Sequence, residues 1–237
     1  MISIIIPAYN EEKYLPATLE AVLTALGRIE SPEIIVVDNG STDTTREIAC
    51  RLGARVVDEQ VHNIARVRNA GAASALGDVL IFIDADTTVS PGLFEKIIDA
   101  MSDDRCFGGS VAVEYERTYR RNSIRFYLFL WQSAGRLLKW RQGAAQFCRA
   151  DAFRELGGYD ESIYLGEDVE FHWRLAELAR RERGGVEFIE DPPVRTSSRR
   201  YERMGFFRLL FFTHPITILL GWRTRWFWKD WYENAIR

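Results

Sequence analysis

Val79-Leu80-Ile81-Phe82-Ile83-Asp84-Ala85-Asp86 is a run of five apolar residues that ends in two carboxylates one residue apart. Short, unbroken and preceded by Gly77-Asp78, it reads as a strand buried on both faces, as in a parallel sheet. Open α/β sheets bind ligands in the crevice beyond the carboxyl ends of such strands. In extended backbone, positions i and i+2 share a face, so the spacing predicts that Asp84 and Asp86 converge in that crevice. Two carboxylates there suit a hard divalent cation, Mg2+ or Mn2+, which keeps coordination positions for substrate phosphates. An Asp-x-Asp pair by itself also fits a solvated turn, so its meaning rests on what surrounds it.

Upstream, strands over Ile2 to Ile6, Glu33 to Val37 and Arg55 to Val57 alternate with helical patterns. The first helix has a face of Leu15, Leu19, Val22, Leu23 and Leu26, with Asn10 as its expected N-cap; the second runs to Leu52 and the third from Ile64 to Leu76. This alternation predicts a doubly wound α/β fold. Right-handed crossovers then bring Pro7 to Asn10, Asp38 to Asp43 and Asp84 to Asp86 to one rim. No GxGxxG follows the first strand and no GxxxxGK[ST] occurs, which argues against dinucleotide-binding and P-loop chemistry. A nucleotide at this rim would be held otherwise: Asp38 accepting an N–H of a base, Tyr9 stacking, Arg66 or Arg68 supplying positive charge. The same residues also fit a turn with a helix cap and a solvated helix face.

At 237 residues, 47% hydrophobic and 27% charged, the chain has the composition of a folded α/β domain with a sizeable core. Cys50, Cys106 and Cys148 form no CxxC pair, which fits buried thiols in a reducing, intracellular compartment. The amino terminus enters a strand at once, so no secretory signal is expected. The late apolar run from Leu209 to Trp222 contains His214 and Pro215 and is shorter than the roughly 20 residues that cross a bilayer. The net charge of −3 is unevenly spread. Arg117 to Arg141 holds seven basic residues and no acidic one, Arg195 to Arg237 nine basic and three acidic, and together they hold six of the seven tryptophans.

Downstream of the acidic pair, Ser90-Pro91 opens a helix with Leu93, Ile97, Ile98 and Met101 inward, and Phe107 to Tyr115 is a strand. Ser123 to Trp140 patterns as an amphipathic helix that either faces the core or contacts anionic lipid or a phosphate-bearing acceptor. Ala150 to Leu156 is a short helix. Gly166-Glu167-Asp168 then precedes a helix with Val169, Trp173, Ala176 and Ala179 on one face. These acids either cap the helix or supply a carboxylate base to a hydroxyl nucleophile. Val186 to Glu190 is a last strand, ended by Asp191-Pro192-Pro193. Arg199 and Arg200 follow in a loop suited to phosphate charge. Phe206 to Tyr232 fits a membrane interface, an oligomer contact or a helix docked on the domain.

Pro7-Ala8-Tyr9-Asn10-Glu11-Glu12, Val37-Asp38-Asn39-Gly40-Ser41-Thr42-Asp43, Arg68-Asn69-Ala70-Gly71, Asp84-Ala85-Asp86, and Gly157-Gly158-Tyr159-Asp160 with Gly166-Glu167-Asp168 occur in that order across residues 1 to about 176. The series resembles the ordered motifs of the family 2 glycosyltransferases, which have the GT-A fold. The resemblance implies a Rossmann-like, mostly parallel sheet flanked by helices, a nucleotide-diphosphate-sugar donor (a UDP-sugar foremost), a metal at Asp-x-Asp, and inversion at the anomeric carbon. It implies that Pro7, Tyr9, Glu11 and Asp38 line the base and ribose and that Asp84 faces the ribose or sugar; with Ala8, Arg66, Arg68, Asn69 and Ala85 these make up the expected donor site. Asp86 would be the main metal ligand with Asp84 beside it. Asp168 would be the base, with Glu167 positioning it or the acceptor. Gly143 and Ala144 would lie beside donor sugar and acceptor, while Arg199 and Arg200, read from their charge alone, are expected over the diphosphate. Apart from the resemblance, His62, His172 and His214 are each isolated in sequence and fit structural roles, His214 alternatively an extra metal ligand or a diphosphate contact. Asn39, where the family often has a second Asp, is a departure.

The expected organisation is a glycosyltransferase domain over 1–194, donor half 1–115 and acceptor half 116–194, with a helical, basic, aromatic extension over 195–237. The expected partners are the donor, a hydroxyl acceptor such as a lipid-linked or cell-envelope glycan, and a peripheral membrane surface on the cytoplasmic side; nucleic acid is not among them. The rival readings are a nucleotidyltransferase on a similar sheet and a catalytically silent binding module.

Overall fold

In the computed structural model, which describes residues 1–27, 29–115, 144–199 and 221–224, Val79–Ile83 is the strand β4 at the centre of an eight-stranded sheet. The preceding elements are β1 (Ile2–Ala8), α1 (Leu15–Leu26), β2 (Glu33–Asp38), α2 (Thr45–Arg51), β3 (Arg55–Asp58) and α3 (Ile64–Ser74). After β4 come β5 (Thr87–Thr88), α4 (Leu93–Ser102), β6 (Cys106–Tyr115), β7 (Ala145–Arg149), α5 (Ala150–Glu155), α6 (Glu167–Arg181) and β8 (Gly185–Thr196). The strand order is β3-β2-β1-β4-β7-β6-β8-β5. The four strands up to β4 are parallel, as the alternation predicts. Beyond β4 the sheet is mixed: β7 is antiparallel to both β4 and β6, β6 and β8 are parallel, and β5 is antiparallel to β8.

The unbroken apolar runs follow from burial on both faces. Along β1 and β4, Ile4, Ile6, Ile81 and Ile83 join the cluster beneath α1 and α4, while Ile5, Leu80 and Phe82 join the one beneath α3, α5 and α6. In the second cluster the rings of Phe82, Phe153, Tyr159 and Phe171 pack edge to face or tilted, with centroids 4.6 to 5.7 Å apart.

Several local expectations are corrected. Asn10 has φ 54° and is not the N-cap; α1 starts at Leu15, and its entry is held by the Glu11 carbonyl accepting from Tyr14 and Leu15 N–H. α4 begins at Leu93 behind Gly92, since Ser90-Pro91 is spent on a turn. The inward face of α6 is Phe171, Leu175 and Leu178, and Trp173 points outward at 53% exposure. β8 does not end at Asp191 but runs through both prolines. Val111 pairs with Ile189 and Val113 with Val194, so residues 190–193 bulge opposite Ala112 and the prolines owe the ladder no N–H. The basic helix over Ser123 to Trp140 and most of the 195–237 extension lie outside the described residues. Among those described, no helix is long and apolar enough to cross a membrane.

α3 lies close on the sheet because Gly71 has no side chain: a Cβ there would sit 2.4 Å from Ile5 Cγ2 and 2.8 Å from Val37 Cγ2. Alanine raises helix propensity by about 1 kcal/mol, yet overpacking two β-branched strand residues costs about 1–3 kcal/mol. Gly71→Ala is therefore expected to destabilise the protein, read as a lower urea midpoint with an unchanged m-value.

Candidate active site

The carboxyl ends of β1, β2 and β4 form the predicted rim, with Pro7 and Ala8 buried in β1 and Ala8 in register with Asp38. The loops after β1 and β2 are stitched together. Asn10 Oδ1 accepts the Thr42 N–H at 2.8 Å, the Ser41 and Thr45 hydroxyls accept the N–H groups of Asn10 and Glu11, the Glu12 N–H donates to Asp43 Oδ2, and Glu12 Oε2 accepts the Thr44 N–H. Asp38 is buried, with Oδ1 accepting the Ser41 N–H at 3.1 Å and Arg46 3.8 Å from Oδ2. Its turn-forming role is thus present whatever else it does.

Asn39 explains its own departure from the family pattern. Its Nδ2 donates to the carbonyls of Glu59 and Val61, which a carboxylate could not do, and its Oδ1 lies 3.1 Å from His62 Nδ1. The amide's orientation makes His62 Nδ1 the donor. The His62 ring sits 4.6 Å from the Tyr9 ring, so a histidine that looks isolated in sequence stands beside the expected stacking residue.

The acidic stretch differs from its sequence-derived geometry. Asp84 to Thr87 is a β-turn closed by the Thr87 N–H on the Asp84 carbonyl at 3.0 Å, not extended backbone, and the two carboxylates are held by different arginines. Asp84 Oδ1 accepts from Arg68 Nη2 at 2.9 Å. Asp86 Oδ2 is 3.2 Å from Arg199 Nη2, and its Oδ1 accepts from Thr196 Oγ1 at 3.4 Å. Ala85 is buried, its carbonyl accepting from Thr18 Oγ1, which ties the turn to α1. Ala144 lies alongside, accepting the Asp84 N–H.

Of the other expected donor residues, Arg66 is half exposed and pairs with Glu59 and, at 3.8 Å, with Glu161. Asn69 clamps the backbone of Tyr159, donating to its carbonyl and accepting its N–H at 3.0 and 2.9 Å. Arg68 is 4% exposed and spans Asp84 and Glu167 Oε1, the latter at 2.7 Å, with the Tyr159 ring 5.4 Å from its guanidinium. Burial pushes the Glu167 carboxyl up from its ordinary range, Asp168 pushes the same way, and Arg68 opposes both. Glu11 is buried and pairs with Arg199 at 2.5 Å. Gly143, Arg200 and His214 lie outside the described residues.

Asp168 is part-exposed in the first turn of α6, its Oδ1 accepting the Val169 N–H. Its carbonyl accepts from Gln146 Nε2 at 3.0 Å, and Gln146 Oε1 accepts from the Tyr159 hydroxyl at 3.1 Å. Sequence reasoning missed Gln146; the signal was an amide at an inward position of the apolar β7. It gave no sign that Thr196 reaches Asp86. Among the described residues, no three of His, Cys, Asp and Glu gather around one point. Two carboxylate-bearing positions on one turn, already drawing in guanidinium groups, nevertheless suit a hard cation that takes its remaining ligands from phosphate and water.

Removing one partner of a buried ion pair costs about 3–5 kcal/mol, because the other charge stays buried. Arg68→Met is expected to lose that much at pH 8. The deficit should shrink toward pH 5, since Glu167 without its cation titrates still higher and is then buried as the neutral acid. Urea denaturation of Arg68→Met and of Arg68→Met/Glu167→Gln at both pH values checks this; the double variant should recover part of the loss at pH 8.

The model of the family described as glycosyl transferase family 2 matches residues 3–157. The succinoglycan biosynthesis protein ExoA of Rhizobium meliloti is 30% identical over 199 residues, 75% of this chain and 58% of that protein. Staphylococcus aureus TarS (residues 1–349) in complex with UDP-GlcNAc superposes with TM-score 0.65 at 17% identity, covering 84% of this chain and 58% of that one. The Pyrobaculum calidifontis mannosyltransferase PcManGT, in complex with GDP-Man and Mn2+, gives 0.63 at 19%, covering 85% and 57%. The chain thus spans less than two thirds of the length of each. The GT-A architecture implied by the motif series is the one found, and the chain belongs to glycosyl transferase family 2.

Proposed function

We propose that the protein is an inverting glycosyltransferase that moves a sugar from a nucleotide-diphosphate donor, a UDP-sugar foremost, to a hydroxyl of a glycan or lipid-linked acceptor. The observation that carries this reading is the join at Arg68, which ties the expected donor-side carboxylate Asp84 to Glu167, the neighbour of the expected base. TarS and PcManGT, solved with UDP-GlcNAc and with GDP-Man and Mn2+, support a nucleotide-sugar donor and a divalent ion. The likeness to a succinoglycan biosynthesis protein supports a glycan acceptor.

In this reading Tyr9 and Asp38 take the base, with His62 beside them. Asp86, with Asp84 beside it, would hold a divalent ion, which would neutralise charge growing on the leaving diphosphate. Asp168 accepts the proton of the attacking hydroxyl while that oxygen approaches the anomeric carbon from the face opposite the diphosphate. One displacement with one base inverts the centre. Gln146 and Tyr159 fix the backbone of the base, and Glu167, braced by Arg68, fixes its side of the helix start. The basic, tryptophan-rich stretches of the sequence fit an acceptor presented at an anionic surface.

A panel of UDP-, GDP- and dTDP-sugars with and without Mn2+ tests the donor. A nucleotide at about 100 times its dissociation constant stabilises by about 2.7 kcal/mol. One nucleotide should raise the melting temperature only with metal, and Asp86→Ala should abolish the shift. Asp168→Asn should keep that shift while transfer falls by about 10²–10⁴-fold, the usual worth of a general base. Released nucleoside diphosphate supports sugar transfer; pyrophosphate would mark a nucleotidyltransferase instead.

A further inference from the structure

Arg199 lies 188 residues from Glu11 in sequence, yet the two are joined by a 2.5 Å bond at the rim. Its guanidinium also lies 3.2 Å from Asp86 Oδ2 and 4.2 Å from the centre of the Tyr14 ring, and the side chain is 11% exposed. The approach is fixed by backbone: β8 pairs with β5, placing Thr196 opposite Thr87, and the Ser197 N–H donates to the Asp86 carbonyl at 3.2 Å. A cation so nearly buried between two carboxylates is held by their charge; burial works against its ionised form, and Glu11 and Asp86 outweigh it.

We propose that Arg199 is the resident counter-ion of the acidic rim and makes cation binding at Asp86 conditional on the donor's diphosphate. The inference rests on the donor reading above and adds to it an order of assembly. A bare divalent ion at Asp86 would meet a guanidinium in contact with the same carboxylate, so like charges oppose it. Nucleotide without metal would meet the carboxylates, with the same result. Metal and diphosphate together bring nearly balanced charge. Arg199 then gives up Asp86, keeps Glu11 and Tyr14, and turns its free N–H groups to phosphate oxygens, for which a guanidinium is suited. Glu11 thereby acquires a role other than the base and ribose contact implied by the family resemblance: it anchors the arginine.

The test is titration of Mn2+ by electron paramagnetic resonance of the free ion, with and without UDP or GDP, together with calorimetry of the nucleotide in the presence of Mn2+. Removing a charge this close is expected to alter affinities by about tenfold or more. Arg199→Met should bind bare Mn2+ more tightly than wild type and bind nucleotide with Mn2+ more weakly, two shifts of opposite sign that misfolding does not produce. Arg199→Gln, which remains polar beside Glu11, reads the same two shifts should the methionine variant fail to fold. Bare Mn2+ affinity unchanged or weakened in these variants, with wild-type nucleotide–metal binding intact, overturns this inference alone. Absence of any nucleotide–metal binding in wild type overturns the donor reading and this inference with it.

Discussion

The site depends on one buried cation. Arg68, 4% exposed, lies between Asp84 and Glu167, and a charge so placed is tolerable only because it is paired on both sides. The surroundings exist to make that placement possible. Gly71 lets α3 settle onto the sheet, Asn63 caps the start of the same helix, and four aromatic rings close the space beneath. Tyr159 offers its face to the guanidinium and its hydroxyl to Gln146, and Asn69, the residue after Arg68 in α3, grips its backbone. A carboxylate at the end of β4 and another at the start of α6 therefore share a single cation, and the first turn of α6 is placed relative to the sheet by polar contacts more than by loop length.

The rim shows polar side chains carrying structural work that their motif roles do not advertise. Asn10, Ser41, Thr42, Asp43 and Thr45 bind the two loops to each other, so the polar character of both motif stretches is explained by folding before any ligand is considered. Asn39 is the sharper case. Read as a missing charge, it looks like a weakened site; in three dimensions its amide hydrogens satisfy two backbone carbonyls while its oxygen orients His62.

The sheet through β4 is legible because β1, β2 and β4 are apolar on both faces and the helices between them keep a steady period, and the rim follows from the carboxyl-end rule. Periodicity reports which face a residue takes, and this is why it could not give the partner. Nothing near Arg199 announces Glu11, and nothing near Gln146 announces Asp168. Asp84 and Asp86 were placed on one rim correctly, but their backbone was misread, since a two-residue β5 is too short to have a pattern of its own. The end of β8 was misread because proline stops a strand only where the ladder needs its N–H, and the bulge against Ala112 removes that need.

That two-residue strand has a further consequence. Ile83 pairs with Ala145 of β7, while Thr87 pairs with Thr196 of β8. The four residue steps between them reach at most about 14 Å. In a flat sheet, the four strand positions that separate β4 from β5 would span about 19 Å. The sheet must therefore curl at this end, and the turn from Asp84 to Thr87 shortens the span further. One residue inserted into that turn would either slip β5 against β8 and turn Thr87 to the opposite face, or change the curl that carries β8, and with it Arg199, over the rim. The three residues of that span thus set how Arg199, three positions beyond Thr196, is presented to Asp86.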